Sequence, residues 1–146
     1  METMKTLFKP IKYKKLNARQ KENYNYQKIS AILADYGYVT FRLSDDWCGA
    51  DFIAYHIDKN TSLKLQLKGR LAFYKKYKDQ NIYIVFHDKN HWYIYHHDDL
   101  LKKMPLNIRN HVSRRKGFTS SKLSHELESL LKPYIITGSE GYIPEQ

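Results

Sequence analysis

The chain has 146 residues, 42% of them hydrophobic, with 25 Lys and Arg against 15 Asp and Glu and a formal net charge of +10. That size suits one domain with one core and leaves little room for two. No apolar run approaches the roughly 20 residues of a transmembrane helix, no apolar segment follows the basic N-terminus as in a signal peptide, and a single cysteine, Cys48, excludes an internal disulfide and a cysteine-based zinc site; the expectation is a soluble, cytoplasmic protein without a membrane partner, with Cys48 packed as a small hydrophobe.

Residues 1–16, with Pro10 and a Lys-rich stretch, read as a basic arm ahead of a single domain over 17–134. A helix is predicted from Ala18 to Tyr36. Asn17 is its N-cap, Gln20 completes a capping box, and Gly37 stops it. Tyr26, Ile29, Leu33 and Tyr36 recur at helical spacing as its buried face; Glu22 continues that face and Asn25 adjoins it. Tyr38–Leu43 alternates as a strand with Val39, Phe41 and Leu43 on one side, and residues 44–49 read as a loop. Asp51–Ile57 is a second strand, and residues 58–61 form its turn. In Ser62–Lys68, Leu63, Leu65 and Leu67 point one way and Lys64, Gln66 and Lys68 the other.

Ile82–Phe86 is continuously apolar, as in a strand covered on both faces. Trp92–Tyr95 is a further strand and Asp98–Lys103 a short helix. Residues 105–118 read as basic and irregular. A last helix is predicted over Ser121–Lys132 with Leu123, Leu127, Leu130 and Leu131 inward, and residues 135–146 read as a C-terminal tail. Hairpin-sized links require part of the sheet to be antiparallel. The fold class is α/β, a mixed sheet flanked by helices.

Charge is unevenly placed. Residues 1–21 hold seven Lys and Arg and one acid, and residues 102–122 hold seven and none, around a mildly acidic remainder. Clustered positive charge favours polyanions through counterion release, so nucleic acid is the expected partner, with an anionic membrane or an acidic protein as the other readings. Lys12, Lys14, Lys15 and Arg19 in the first zone and Arg114, Arg115 and Lys116 in the second are candidate phosphate contacts. Between them, Arg70, Lys75 and Lys76 lie beside Tyr74 and Tyr77, which offer rings for bases to stack on. His87, His91, His96 and His97 cluster in sequence but match no zinc-binding spacing, and are read as surface histidines.

The chemistry concentrates in Asp51, Gln66 and Lys68. Pairing their strands as a hairpin brings Asp51 and Gln66 together, and Lys68 shares the face of Gln66. The Asp51 carboxylate, the Gln66 amide oxygen and the Leu67 carbonyl are hard donors of the kind Mg²⁺ takes. An adjacent ammonium orients or deprotonates a water, or steadies charge on phosphoryl oxygens. Each residue also has a plain structural reading: Asp51 as a turn-capping acid, Lys68 as an exposed strand lysine, Gln66 as a surface amide, Glu22 as a first-turns acid favoured by the helix dipole.

The Asp51…Gln66-Leu67-Lys68 pattern resembles the PD-(D/E)xK nuclease superfamily, in the variant with Gln at the second acid as in Mrr-type restriction endonucleases. Gly49-Ala50-Asp51-Phe52-Ile53-Ala54 is similar to the corresponding segment of archaeal Holliday-junction resolvases. The resemblance covers roughly residues 18–87. It implies a restriction-endonuclease-like αβββαβ core, here with an added strand and a C-terminal helix. By it, Asp51 is the metal-binding acid, Gln66 the third-motif ligand, Lys68 the catalytic lysine and Glu22 the acid from the leading helix, with Asn25 the alternative at that position. It departs from the pattern in Ala50, where Pro is common, and in residues 69–80, which are short for the helix after the third motif. The implied function is a Mg²⁺-dependent (alternatively Mn²⁺-dependent) endonuclease acting on DNA, with RNA left open. A homodimer is a further expectation, since cutting both strands calls for a second subunit. The alternative is a catalytically weak nuclease-fold protein serving as a nucleic-acid-binding or regulatory module.

Overall fold

The computed structural model describes residues 3–47 and 49–136, apart from the side chains of Asp46 and Trp47. The expectation for Cys48 lies outside the described residues, as does the tail beyond residue 136. A short helix α1 (Met4–Leu7) and a 3-10 turn (Tyr13–Lys15) lead into helix α2 (Ala18–Asp35). Strands β1 (Tyr38–Trp47), β2 (Ala50–His56), β3 (Ser62–Lys68) and β4 (Leu71–Tyr74) follow, then a 3-10 turn (Lys75–Tyr77). Strands β5 (Ile82–Asp88) and β6 (His91–His96), helices α3 (His97–Lys103) and α4 (Leu106–Arg115), strand β7 (Gly117–Ser120) and helix α5 (His125–Leu131) complete the chain.

Five strands form one mixed sheet in the order β1-β2-β3-β5-β6, antiparallel throughout except for the parallel pair β3–β5. β4 and β7 form a separate antiparallel ribbon. One face of the large sheet packs on α2, where Ile29 and Leu33 meet Phe52, Ala54, Leu65, Val85 and Trp92. On the other face Ile82, Ile84, Phe86, Tyr93 and Tyr95 form the larger core with β4 and helices α3, α4 and α5. The layout is therefore helix, sheet, helices. No helix among the described residues is long and apolar enough to cross a membrane.

Local chemistry explains the best-defined elements. The Asn17 side chain accepts the Gln20 N–H at 2.9 Å, and the Gln20 side chain accepts the Asn17 N–H at 2.9 Å, so the capping box is formed. Gly37 ends α2 at φ +85°, and a Cβ there would come within 2.8 Å of the His56 ring. β5 reads as an unbroken apolar run because Val85 faces α2 while Ile84 and Phe86 face the other core. Tyr95, fully buried, fastens β4 to β6: its hydroxyl donates to the Ala72 carbonyl and accepts the Ala72 N–H at 3.2 Å.

Several elements differ from the sequence expectations. β1 extends through most of the expected loop at 44–49, with an irregular register between Arg42 and Trp47. Of its outer side, Val39 and Phe41 are exposed, because nothing covers this end of the sheet among the described residues. No α-helix lies between β3 and β5; β4 and the turn at 75–77 stand where the αβββαβ core has its second helix. Residues 105–118 are ordered as α4 and the start of β7. Only Ile108 and Val112 of α4 are buried, one apolar pair among basic residues, which leaves a faint amphipathic signal. The last helix starts only at His125, where the Ser124 hydroxyl accepts the Leu127 N–H at 3.2 Å and sets the N-cap.

Two substitutions test this frame in urea denaturation. Asn17→Ala is expected to cost about 1 kcal/mol through loss of the cap. Leu65→Ala, at a fully buried position on the central strand, is expected to cost roughly 2–5 kcal/mol.

Candidate active site

β2 and β3 pair antiparallel, and the ladder runs as far as Phe52 opposite Leu65. There the regular ladder ends. The Asp51 carboxylate takes over and accepts the Leu67 N–H at 2.9 Å. β3 itself runs on beside β5, with Gln66 opposite Ile84 and Lys68 opposite Phe86. Gln66 and Lys68 share the sheet face opposite α2, and Asp51, Gln66 and Lys68 are all half-buried. Beside Asp51 lies a cleft walled by Arg19 and Glu22 of α2, Arg42 and Asp45 of β1, and Asp51.

Lys68 lies on an aromatic bed. Its Nζ is 4.9 Å from the centre of the Tyr74 ring and 5.3 Å from that of Tyr77, and these rings meet edge to face at 5.7 Å. Lys76 shares the same two rings at 5.6 and 5.2 Å. Each contact of this kind contributes about 0.5–1 kcal/mol where exposed and more where water is excluded.

The bed rests on a residue that the sequence reading placed on the surface. His97 is fully buried, against the rings of Phe73 and Tyr77. Its Nε2 accepts the Tyr74 N–H at 3.0 Å, which makes Nδ1 the protonated nitrogen, donating to Asp98 Oδ1 at 2.8 Å. The Asp98 Oδ2 accepts the Asp79 N–H at 2.9 Å. The surface assignment holds for His87 and His91, which are exposed, while His96 is half-buried. His97 differs because it is the first residue of α3, turned into the core where α3 leaves the sheet.

Other site candidates fall in different surroundings. Glu22 lines the same cleft as Asp51, but its exposed carboxylate pairs with Arg42 at 3.2 Å. Asn25 does not line the cleft; its amide donates to the Tyr13 hydroxyl at 2.8 Å and fastens the turn at 13–15. Arg19 lines the cleft. Lys12, Lys14 and Lys15 are exposed along the arm, and Arg70 and Lys75 are exposed on either side of β4. Arg114 and Arg115 line a separate hollow on α4, and Lys116 caps that helix at φ +74°. The sequence reading gave Asp45 no role. It belongs to the irregular stretch of β1, and such irregularities re-aim side chains beside functional clefts. An acid two residues beyond the expected strand was the available signal.

Among the described residues no group of three or more His, Cys, Asp or Glu is arranged to hold a metal. The carboxylates that line the cleft, Glu22, Asp45 and Asp51, fit the way Mg²⁺ is held in many phosphoryl-transfer sites: by one or two protein carboxylates, with water and substrate phosphate completing the shell.

No protein-family model and no curated protein matches the chain. Solved structures similar to it include two nucleases. One is the Archaeoglobus fulgidus Holliday junction resolvase Hjc, with 13% identity and a TM-score of 0.47, covering 73% of this chain and 91% of the resolvase. The other is a bacterial homing endonuclease, with 12% identity and a TM-score of 0.45, covering 82% of this chain and 87% of that one.

Burial holds the His97 imidazole below its ordinary value of 6.5, against the opposing pull of Asp98. The native state therefore favours the neutral ring. Its contribution to stability is full above about 6.5 and is lost as pH falls toward the lower folded value, because the unfolded chain takes up the proton first. Urea denaturation at about pH 7.5 and about pH 5.5 is expected to give lower stability at the acid value. His97→Gln is expected to be less stable at both and to fall less between them.

Proposed function

We propose that the chain is a metal-dependent endonuclease that hydrolyses phosphodiester bonds in DNA. The observation that carries this reading is the bond from the Leu67 N–H to the Asp51 carboxylate, which brings the acid beside the Gln66-Leu67-Lys68 segment of the neighbouring strand. Asp51, Gln66 and the Leu67 carbonyl are the proposed ligands of Mg²⁺, or of Mn²⁺ in its stead, with Glu22 joining from α2 when released from Arg42. The ion, when bound, polarises the phosphate and lowers the pKa of the attacking water.

This chain's own residues do the rest. Asp51 orients the attacking water, and its bond to the Leu67 N–H fixes the carboxylate for that task. The Lys68 ammonium, steadied by Tyr74 and Tyr77, balances charge on the phosphoryl oxygens as the water oxygen bonds to phosphorus and the leaving sugar oxygen departs. The arm lysines Lys12, Lys14 and Lys15, with Arg19, Arg70, Lys75, Lys76, Arg114, Arg115 and Lys116, grip the backbone of the nucleic acid and supply most of the affinity. Cleavage of both strands of a duplex calls for two copies of the chain.

A second reading has its own support. Gln66 is neutral and Glu22 is engaged by Arg42, both of which favour a nuclease fold that binds nucleic acid with little or no hydrolysis.

Incubation with duplex, branched and single-stranded DNA, with and without Mg²⁺ or Mn²⁺, separates the two. The endonuclease reading expects metal-dependent cleavage that drops roughly 10²–10³-fold in Asp51→Ala and in Lys68→Ala, with DNA binding retained. Salt-sensitive binding without cleavage under either metal would overturn it in favour of the binding module.

A further inference from the structure

We infer that the hollow between the 75–78 turn and helices α3 and α4 is a second binding site, for a backbone phosphate of a nucleic-acid strand that passes Lys68. The inference rests on the proposed reading that this chain acts on nucleic acid, and it adds Lys78, Lys102 and Arg109 to the residues that hold the strand.

The hollow has a volume of about 430 Å³ and is lined by four cations, Lys75, Lys78, Lys102 and Arg109, and by the carboxylates of Asp79 and Asp98. Both oxygens of Asp98 already accept hydrogen bonds, one from His97 and one from the Asp79 N–H. Lys75 is fixed in place, its Nζ donating to the Ser113 carbonyl at 2.8 Å. Among the described residues no ion pair neutralises Lys78, Lys102 or Arg109. Leu101 and Val112, both buried, give the hollow an apolar floor. A concave surface with an excess of unpaired long cations over a low-dielectric floor focuses a positive potential. An arginine fork beside point-charge lysines suits the tetrahedral oxygens of phosphate.

The hollow also adjoins the candidate active site. Lys76 sits with Lys68 on the Tyr74 and Tyr77 rings, whereas its neighbours Lys75 and Lys78 line the hollow. One short turn thus carries cations to both places. A strand lying across Tyr74 and Lys76 would meet Lys68 on one side and the hollow on the other. This gives the charge of residues 102–122 a specific function, since Lys102 and Arg109 belong to that zone.

The test is binding of a labelled oligonucleotide, by fluorescence anisotropy, across a range of salt. A Lys102→Gln/Arg109→Gln double variant, at two exposed positions, is compared with Lys28→Gln/Lys59→Gln, which removes equal charge from exposed positions elsewhere. Loss of one phosphate contact is expected to reduce the slope of log K against log salt by about 1. The first variant should show that loss and bind about tenfold more weakly at low salt, and the second should show neither. Equal effects in the two variants, or no effect in the first, would overturn the site. Competition by inorganic phosphate or a mononucleotide as effective as that by an unlabelled oligonucleotide would overturn the strand as occupant. Stronger competition by polyglutamate than by oligonucleotide would do so in favour of an acidic protein. Asp51→Ala is expected to keep the wild-type slope. If no DNA is cleaved but the slope still falls in the first variant, the phosphate site stands and the endonuclease reading fails.

Discussion

The backbone N–H of Leu67 needs a partner, and the way it finds one shapes the site. Buried amides are almost always bonded, because an orphaned one costs as much as a lost hydrogen bond. Up to Leu65 the β2–β3 ladder meets that need in the ordinary way. At Leu67 the partner is the Asp51 side chain. With a carboxylate in place of a backbone carbonyl, the β2–β3 ladder ends without leaving the amide unpaired. The cleft beside Asp51 is walled by β2, β1 and the start of α2. The other edge of β3 stays bonded to β5 as far as Lys68 and Phe86.

Lys68 depends on the other edge of β3. Parallel pairing of β3 and β5 forces a crossover, and here the crossover is β4 with the turn at 75–77. That segment lays Tyr74 and Tyr77 beneath the Lys68 ammonium and is itself fastened at two points. Tyr95 holds Ala72, and His97 holds the Tyr74 amide. Both fasteners are buried and come from β6 and α3, so the placement of the lysine is tied to the core. The loose members are the exposed ones. The Glu22–Arg42 pair is solvated on both sides, and such a pair is worth at most about 1 kcal/mol, so its carboxylate is released at low cost.

The elements that the sequence made legible are those whose determinants are local. The capping box of Asn17 and Gln20, the stop at Gly37 and the alternation of Ser62–Lys68 each involve residues a few positions apart, and each formed as expected. β4, α4 and β7 were illegible for the converse reason. Leu71, Phe73, Ile108 and Val112 are buried by one another and by the sheet, so no short window carries their pattern. His97 belongs with them: nothing in His96-His97-Asp98 separates the buried imidazole from its half-buried neighbour until α3 turns one inward.

By itself, then, the sequence determined a basic α/β chain with an acid, an amide and a lysine on neighbouring strands, because strand alternation fixes which side chains share a face. It could not determine the partners of those groups. That Asp51 caps the Leu67 amide, that Glu22 is held by Arg42, that Lys68 rests on two tyrosines and that Lys102 and Arg109 gather with Lys75 and Lys78 were decided only by the tertiary structure. Each of these contacts joins segments whose proximity is set by sheet order and core packing, and those depend on the whole chain.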